Sequence, residues 1–330
     1  MKELFGILPT GEKIYKYTIK DKDATAEFME YGAVMLGFKV CGVDIVGSFD
    51  TLQEYITNPG NIGITVGRVA NRIKDGLLTI DGETFELTKN QGGNCLHGGS
   101  GFGHKVWDLV SLTENSISFS YDSPDGEDGF PGRLISTVKF TLKDNALIIE
   151  YEAKSDKKTA ITLTNHSYFN LDGIGGDIKD HTLKIYANEY TEVDERLLPT
   201  GNHPSVLGTR FDLREARRIG DGLLEGKYDH NFILSPTEFK EFSGKKLGLD
   251  CELENDALKL SVYSDQPGLQ VYSGNGLGKE IFKGGIQSVR FGAICLETQT
   301  EPNSANHGVG IYDAGDIYTH TCVYKVDRKA

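Results

Sequence analysis

Apolar and polar residues alternate with a period of two along much of this chain. Ile117, Phe119 and Tyr121 interleave with Ser116, Ser118 and Ser120. Val138, Phe140 and Leu142 do so with Thr137, Lys139 and Thr141, Ile149, Tyr151 and Ala153 with Glu150, Glu152 and Lys154, and Leu258, Leu260 and Val262 with Lys259, Ser261 and Tyr263. Successive side chains of a strand point to opposite faces, so each run predicts a strand with one buried face. Asp81-Gly82, between Leu77–Ile80 and Thr84–Leu87, predicts a tight hairpin turn, and the forty glycines leave room for many more. Helical periodicity is scarce. Thr51–Tyr55 and Leu213–Arg218 are the two short candidates, with Asp50 and Asp212 placed as N-caps.

Strands packed mostly against strands predict an all-β fold, a sandwich or a barrel with few short helices. No Pro/Ser-rich linker, low-complexity stretch or fixed-period repeat divides the 330 residues. The expectation is one large domain over residues 1–330, although this length often splits into two.

Composition narrows the function classes. With 25 % charged and 38 % hydrophobic residues the chain is globular rather than disordered. A formal net charge of −13 repels phosphate backbones, so no nucleic-acid partner is expected. Strongly anionic small substrates are mildly disfavoured, although a local basic pocket is compatible with the overall charge. The five cysteines, Cys41, Cys95, Cys251, Cys295 and Cys322, are odd in number and scattered, with no C-x-x-C. They predict free thiols in a reducing compartment. Residues 1–11 lack a sustained apolar run, and no segment approaches the length of a spanning helix. A cytoplasmic location with no membrane partner is expected.

Five segments carry more polar chemistry than a plain sandwich needs. Gly67–Ile73 places two arginines and Asn71 among small residues, decoration or a guanidinium fork for hydroxyls or carboxylates. Cys95–Gly99 sets His97 beside glycines that permit close approach of backbone and ligand. Asn165–Leu171 follows the strand-like Thr159–Thr164 and packs an imidazole, two amides, a hydroxyl and a phenol into seven residues. Tyr228–Phe232 has adjacent Asp229 and His230, which a loop ion pair would also explain. Cys295–Gln299 is where the apolar run Phe291–Leu296 leads into the Glu297 carboxylate and the Gln299 amide. Desolvation there should raise the carboxyl pKa toward that of a useful base unless a cation pairs with it. There is no H-E-x-x-H, no ligand pair at metal spacing, no G-x-S-x-G and no P-loop. Ligands for a metal could still converge from distant segments.

Together these segments resemble the aldose 1-epimerase (galactose mutarotase) family. The matching stretches are GRVANRI at Gly67–Ile73, LHGG at Leu96–Gly99, DGFPG at Asp128–Gly132 and NHSYFNL at Asn165–Leu171. DHNF at Asp229–Phe232, GLQVYSGN at Gly268–Asn275 and LETQ at Leu296–Gln299 follow in family order. The resemblance implies a large antiparallel β-sandwich of the galactose mutarotase type with an open cleft on one sheet. It implies His166 as general acid and Glu297 as general base, and Arg72, His97 and Asp229 as ligands of sugar hydroxyls. Asn71, Tyr168 and Gln270 follow as secondary contacts. The implied reaction opens and recloses the ring of a free aldose such as glucose or galactose. It needs neither cofactor nor metal, and the expected partner is the sugar alone, bound by a monomer or homodimer. Two stretches depart from the family pattern: Thr300-Glu301-Pro302-Asn303 stands where His-Phe-Pro-Asp is usual, and Tyr312-Asp313-Ala314-Gly315 where Leu-x-Pro-Gly is. In the implied fold both lie near the cleft and bear on substrate range.

Three other readings use the same residues. A non-catalytic carbohydrate-binding protein would hold sugar without turning it over. An epimerase of hexose phosphates would need clustered cations, for which Arg68 and Arg72 are the close basic pair. A glycoside hydrolase or lyase would use Asp229 and Glu297 as paired carboxylates and leave His166 without a role.

Overall fold

The computed structural model describes residues 1–329. The alternating runs form strands somewhat longer than their cleanest stretches: Ser116–Ser123, Leu134–Lys143, Ala146–Ser155 and Leu258–Ser264. Ladder hydrogen bonds to the neighbouring strands run along their full lengths, so pairing continues past the cleanest alternation. These strands belong to a ten-stranded antiparallel sheet that also takes in Asp108–Leu112, Ile317–Arg328, Lys245–Glu254, Thr182–Ile185, Arg217–Arg218 and Phe239–Phe242. The hairpin at Asp81-Gly82 is present, with Leu77–Ile80 paired to Glu83–Glu86.

A five-stranded antiparallel sheet packs against the large one. Its order in space is Tyr168–Phe169, Ile294–Gln299, Gly268–Tyr272, Asp229–Leu234, Ala187–Tyr190. Another five-stranded sheet is built from the N-terminal strands between Lys2 and Asp44. One apolar cluster joins the layers, with Phe28 stacked on Phe140 at 4.2 Å between ring centres and Phe169 against Tyr324 at 4.7 Å. The Tyr324 hydroxyl donates to Leu296 O at 2.9 Å, satisfying a polar group inside that core. The sheets are open, so the architecture is a sandwich rather than a barrel, as the family resemblance implied.

Among the described residues two α-helices form: the first bears out the helix expected near Thr51–Tyr55 but corrects its cap, and the second corrects the other candidate. The first is Leu52–Thr57, capped by Thr51 and not Asp50: the Thr51 N–H donates to Glu54 Oε2 at 3.0 Å, as in a capping box. Asp50 instead accepts from Gly284 N–H at 2.7 Å. Leu213–Arg218 is not a helix. Arg217–Arg218 is captured as an edge strand by Thr182–Leu183, and Asp212 is engaged by Arg214 at 2.8 Å. The helix begins one residue later, Ile219–Glu225, where Gly220 and Gly222 had masked its propensity. Among the described residues no helix is long and apolar enough to cross a membrane.

Candidate active site

The register of the smaller sheet assembles most of the site. Cys295 sits opposite Tyr168, Glu297 opposite Gln270, Gln270 opposite Asn231, and Asp229 opposite Tyr272. Residues opposite one another project from the same face. One face of four adjacent strands therefore presents Tyr168, Cys295, Glu297, Gln270, Tyr272 and Asp229, while Phe169, Leu296, Leu269, Val271 and Phe232 turn into the core. His166 enters from the preceding strand, its N–H held by Ile64 O at 3.0 Å.

The opposite wall is a short ribbon, Arg72–Ile73 paired with Cys95–Leu96. Asn71 and His97 leave its ends in left-handed backbone, at φ 62 and 53. The two clasp each other: the His97 N–H donates to Asn71 O at 3.0 Å, and the Asn71 N–H donates to His97 Nδ1 at 3.2 Å. A ring that accepts at Nδ1 carries its proton on Nε2, so His97 offers the cleft a neutral N–H donor. Gly98 is required behind it, since a Cβ there would lie 2.2 Å from Gly67 O.

All eight residues expected from the sequence line one cleft of about 300 Å³: His166, Glu297, Asn71, Arg72, His97, Tyr168, Asp229 and Gln270. His166 Nε2 lies 3.8 Å from Glu297 Oε1. The imidazole stacks on Tyr168 at 5.2 Å and meets His97 edge-on at 5.4 Å. Behind it, Cys295 Sγ contacts His166 Nδ1 at 3.6 Å. Arg72 is fixed by Gln91 Oε1 at 2.8 Å and by Asn71 Oδ1 at 3.2 Å, and Gln270 donates to Asp229 Oδ1 at 3.0 Å. Tyr168 anchors its ring through a 2.7 Å bond to Gly60 O. Asn71, Tyr168 and Gln270 thus hold the charged and titratable groups in place. Glu297 Oε2 and Gln270 Oε1 are buried with no protein partner, acceptors left for a ligand or water.

Burial dominates the electrostatics. It pushes the Glu297 carboxyl well above its ordinary range; the Asp229 carboxylate adds to the rise and Arg72 opposes it. Burial pushes His166 down to about 4. It also keeps His97 neutral, reinforced by His166 and Arg72. The two shifts act on the pair in opposite senses, favouring a protonated carboxyl on Glu297 and a neutral imidazole on His166.

Sequence reasoning missed Gln91, Leu197, Lys227 and Tyr272 as lining groups. Alternation within GLQVY places Tyr272 on the face of Gln270 and could have found it; Gln91 and Leu197 reach the cleft from loops that carry no such signal. Arg68, a cation offered for a phosphate site, does not line the cleft. Its guanidinium is buried against Ser123 Oγ and the carbonyls of Ser123, Pro124, Pro131 and Gly132, a scaffold clamp that uses the DGFPG stretch. The departures from the family pattern do not line the cleft either. Asn303 braces the ribbon, donating to Arg72 O at 2.8 Å and accepting from Lys74 N–H, and Tyr312 pairs with Thr159. Among the described residues one trio, His166, Cys295 and Glu297, brings metal-type donor atoms within 4.8 Å of one another. Its histidine and glutamate are the buried pair that lies 3.8 Å apart.

The sequence profile of the family described as Aldose 1-epimerase matches residues 15–325. A galactose mutarotase of Bos taurus is 37 % identical over 339 residues, covering 98 % of this chain and 97 % of its own. An aldose 1-epimerase of Escherichia coli K12 is 35 % identical over 323 residues, covering 93 % and 92 %. Among solved structures, the galactose 1-epimerase of Lactobacillus acidophilus NCFM superposes with a TM-score of 0.87 at 27 % identity, over 100 % of this chain and 99 % of its own. Cleft, register and relatives agree, and this chain belongs to the aldose 1-epimerase family.

Proposed function

We propose that this chain is an aldose 1-epimerase that interconverts the α and β anomers of free aldoses such as glucose and galactose, with Glu297 and His166 as its proton-transfer pair. The observation that carries the reading is the buried pair 3.8 Å apart, facing a polar cleft with unpartnered acceptors. The Glu297 carboxylate takes the proton of the anomeric O1–H as C1=O1 forms. The C1–O5 bond breaks, and O5 takes the proton of the His166 imidazolium. Rotation about C1–C2 presents the other aldehyde face, and reclosure returns both protons. The proton sum on the pair is constant throughout. Burial in the empty cleft favours the proton on Glu297, the arrangement of the ring-opened half of the cycle. Hydrogen bonds from sugar hydroxyls favour the carboxylate–imidazolium form that opens the ring.

Arg72 and the His97 N–H supply donors and Asp229 an acceptor, a set matched to hydroxyls that both donate and accept. With Arg68 spent on the scaffold, the close basic pair of the sequence does not reach the cleft together, and Arg72 and Lys227 are the lysine and arginine side chains that line it. The five free cysteines suit a reducing compartment, and the reading is of a cytoplasmic enzyme of hexose metabolism working as a monomer or homodimer. Polarimetry on fresh α-glucose, α-galactose, xylose, arabinose and glucose 6-phosphate tests it. Accelerated mutarotation of free aldoses supports it, and sugar binding without acceleration would make the chain a binding protein.

A further inference from the structure

A bridged hairpin with no part in the proton transfers brings Leu197 to the wall of the cleft. The Tyr190 N–H donates to Pro204 O at 3.2 Å, Glu192 to Asn202 O at 3.1 Å, and Asp194 to Leu198 O at 2.9 Å. The Glu192 carboxylate braces the ladder from the side, accepting from Thr200 Oγ1 at 2.6 Å and Asn202 Nδ2 at 2.9 Å. At the tip, Asp194 Oδ1 takes the N–H groups of Arg196 at 2.8 Å and Leu198 at 3.0 Å, and Asp194 O takes that of Leu197 at 2.9 Å. This turn forces Leu197 to φ 60, a conformation leucine rarely adopts. A strained side chain held in place by its surroundings is a pointer to function, and Leu197 lines the same cleft as His166 and Glu297.

The hairpin is tied at both ends to the walls of the site. At its base, Glu301, just past the Glu297 strand, accepts from Thr191 Oγ1 at 3.2 Å and pairs with His203 at 2.7 Å. At its tip, Arg196 Nη2 donates to Asp75 Oδ1 at 2.7 Å and Asn94 Oδ1 at 2.9 Å, residues that flank the ribbon carrying Arg72 and His97. The polar groups of the cleft account for the hydroxyl edge of a pyranose. The ring also has a C–H face, which needs an apolar surface. The Tyr168 ring is already stacked on His166, and of the other apolar or aromatic side chains lining the cleft, Leu96, Pro59 and Tyr272 among them, Leu197 is the one held in left-handed backbone.

We infer that Leu197 is a substrate-contact residue that packs against the C–H face of the sugar ring, and that Arg196 is a positioning residue that holds it there. This rests on the mutarotase reading. The contact is the same in the cyclic ground state and the opening transition state, so its loss raises KM and spares kcat. Leu197→Asn keeps the size, tolerates the left-handed backbone and removes the apolar contact; Leu197→Gly removes contact and strain together.

Polarimetric kinetics on galactose and glucose, with thermal unfolding alongside, test the inference. For both Leu197 variants the expected result is a KM raised roughly tenfold with kcat retained, and a melting temperature equal to or above that of the wild type. Arg196→Ala should raise KM in the same way, and the Leu197→Gly/Arg196→Ala double variant should be no worse than Leu197→Gly alone. Wild-type KM in both Leu197 variants would overturn the contact, and additive effects in the double variant would overturn the positioning role. Failure of the wild type to accelerate mutarotation would instead overturn the parent reading, so the two failures are distinguishable.

Discussion

Replacing Glu297 by glutamine changes one oxygen for an amide nitrogen in a side chain that is 2 % exposed. The shape and one acceptor survive, but the amide cannot take the anomeric proton. Positioned proton transfer is worth roughly 10²–10⁴-fold, so the barrier should rise by about 3–5 kcal/mol and kcat fall by the same factor. KM should change little, because Arg72, His97 and Asp229 are untouched. Stability moves the other way. Below the unfolded carboxyl pKa of about 4.3 both states hold the proton, and variant and wild type should melt alike. As the pH rises above it, the unfolded wild-type chain ionises while the folded carboxyl, held well above its ordinary range by burial, keeps its proton. Wild-type stability is then lost relative to the non-titrating variant, by up to about 1.4 kcal/mol per pH unit, until the folded pKa is reached. The assay is the mutarotation rate of α-galactose by polarimetry, corrected for the spontaneous rate, with melting followed from pH 4 to 8. Near-wild-type kcat, or activity loss that tracks a fall in melting temperature, would refute the reasoning.

His166→Asn should cut kcat comparably, since asparagine can hydrogen-bond O5 but not protonate it; a change confined to KM would make His166 a binder. In the wild type, kcat/KM should fall on acidification through about 4, where His166 takes a second proton onto the pair, and on alkalinisation through the raised Glu297 pKa. Asp229→Asn should move the alkaline limb to lower pH, because the Asp229 carboxylate helps to hold the Glu297 pKa up; an unmoved limb would contradict that coupling. Arg72→Ala and Asp229→Ala should each lose roughly tenfold to a hundredfold in kcat/KM, the worth of one charge-assisted hydrogen bond. Their melting should fall little, since both hydrogen-bond to neutral partners and the opposite charges of Arg72 and Asp229 act on each other without a salt-bridge contact; a large melting loss with normal kinetics would return them to the scaffold. Exhaustive chelation should leave activity intact, and activity lost to chelator and restored by zinc would assign the His166–Cys295–Glu297 trio to a metal.

Much of this was legible from the chain alone, for physical reasons that differ by element. Strands such as Leu134–Lys143 announce themselves because one face meets water and the other the core. The alternation in CLETQ likewise places Cys295, Glu297 and Gln299 on one face. Register is different. That Glu297 faces Gln270, and Gln270 Asn231, is set by pairing between segments far apart in sequence, and no single run contains that information. The helix at Ile219–Glu225 was hidden by its own glycines and by an edge strand that claimed the two preceding arginines. Arg68 and Arg72, four residues apart, read as equals in the sequence; only the loop at Pro131-Gly132 decides that one is scaffold and the other lines the cleft. Leu197 gives no signal at all, because its place follows from a turn and a clasp made by its neighbours.

The claim that this cleft opens and recloses an aldose ring through Glu297 and His166 can be read directly from anomer exchange at equilibrium. Magnetisation transfer between the α and β anomeric protons of galactose, followed by NMR with catalytic protein, reports interconversion with no net reaction. The account expects transfer well above the buffer rate for the wild type, and a return to the buffer rate for both Glu297→Gln and His166→Asn. Transfer by the wild type no faster than buffer, or undiminished in the two variants, would contradict it.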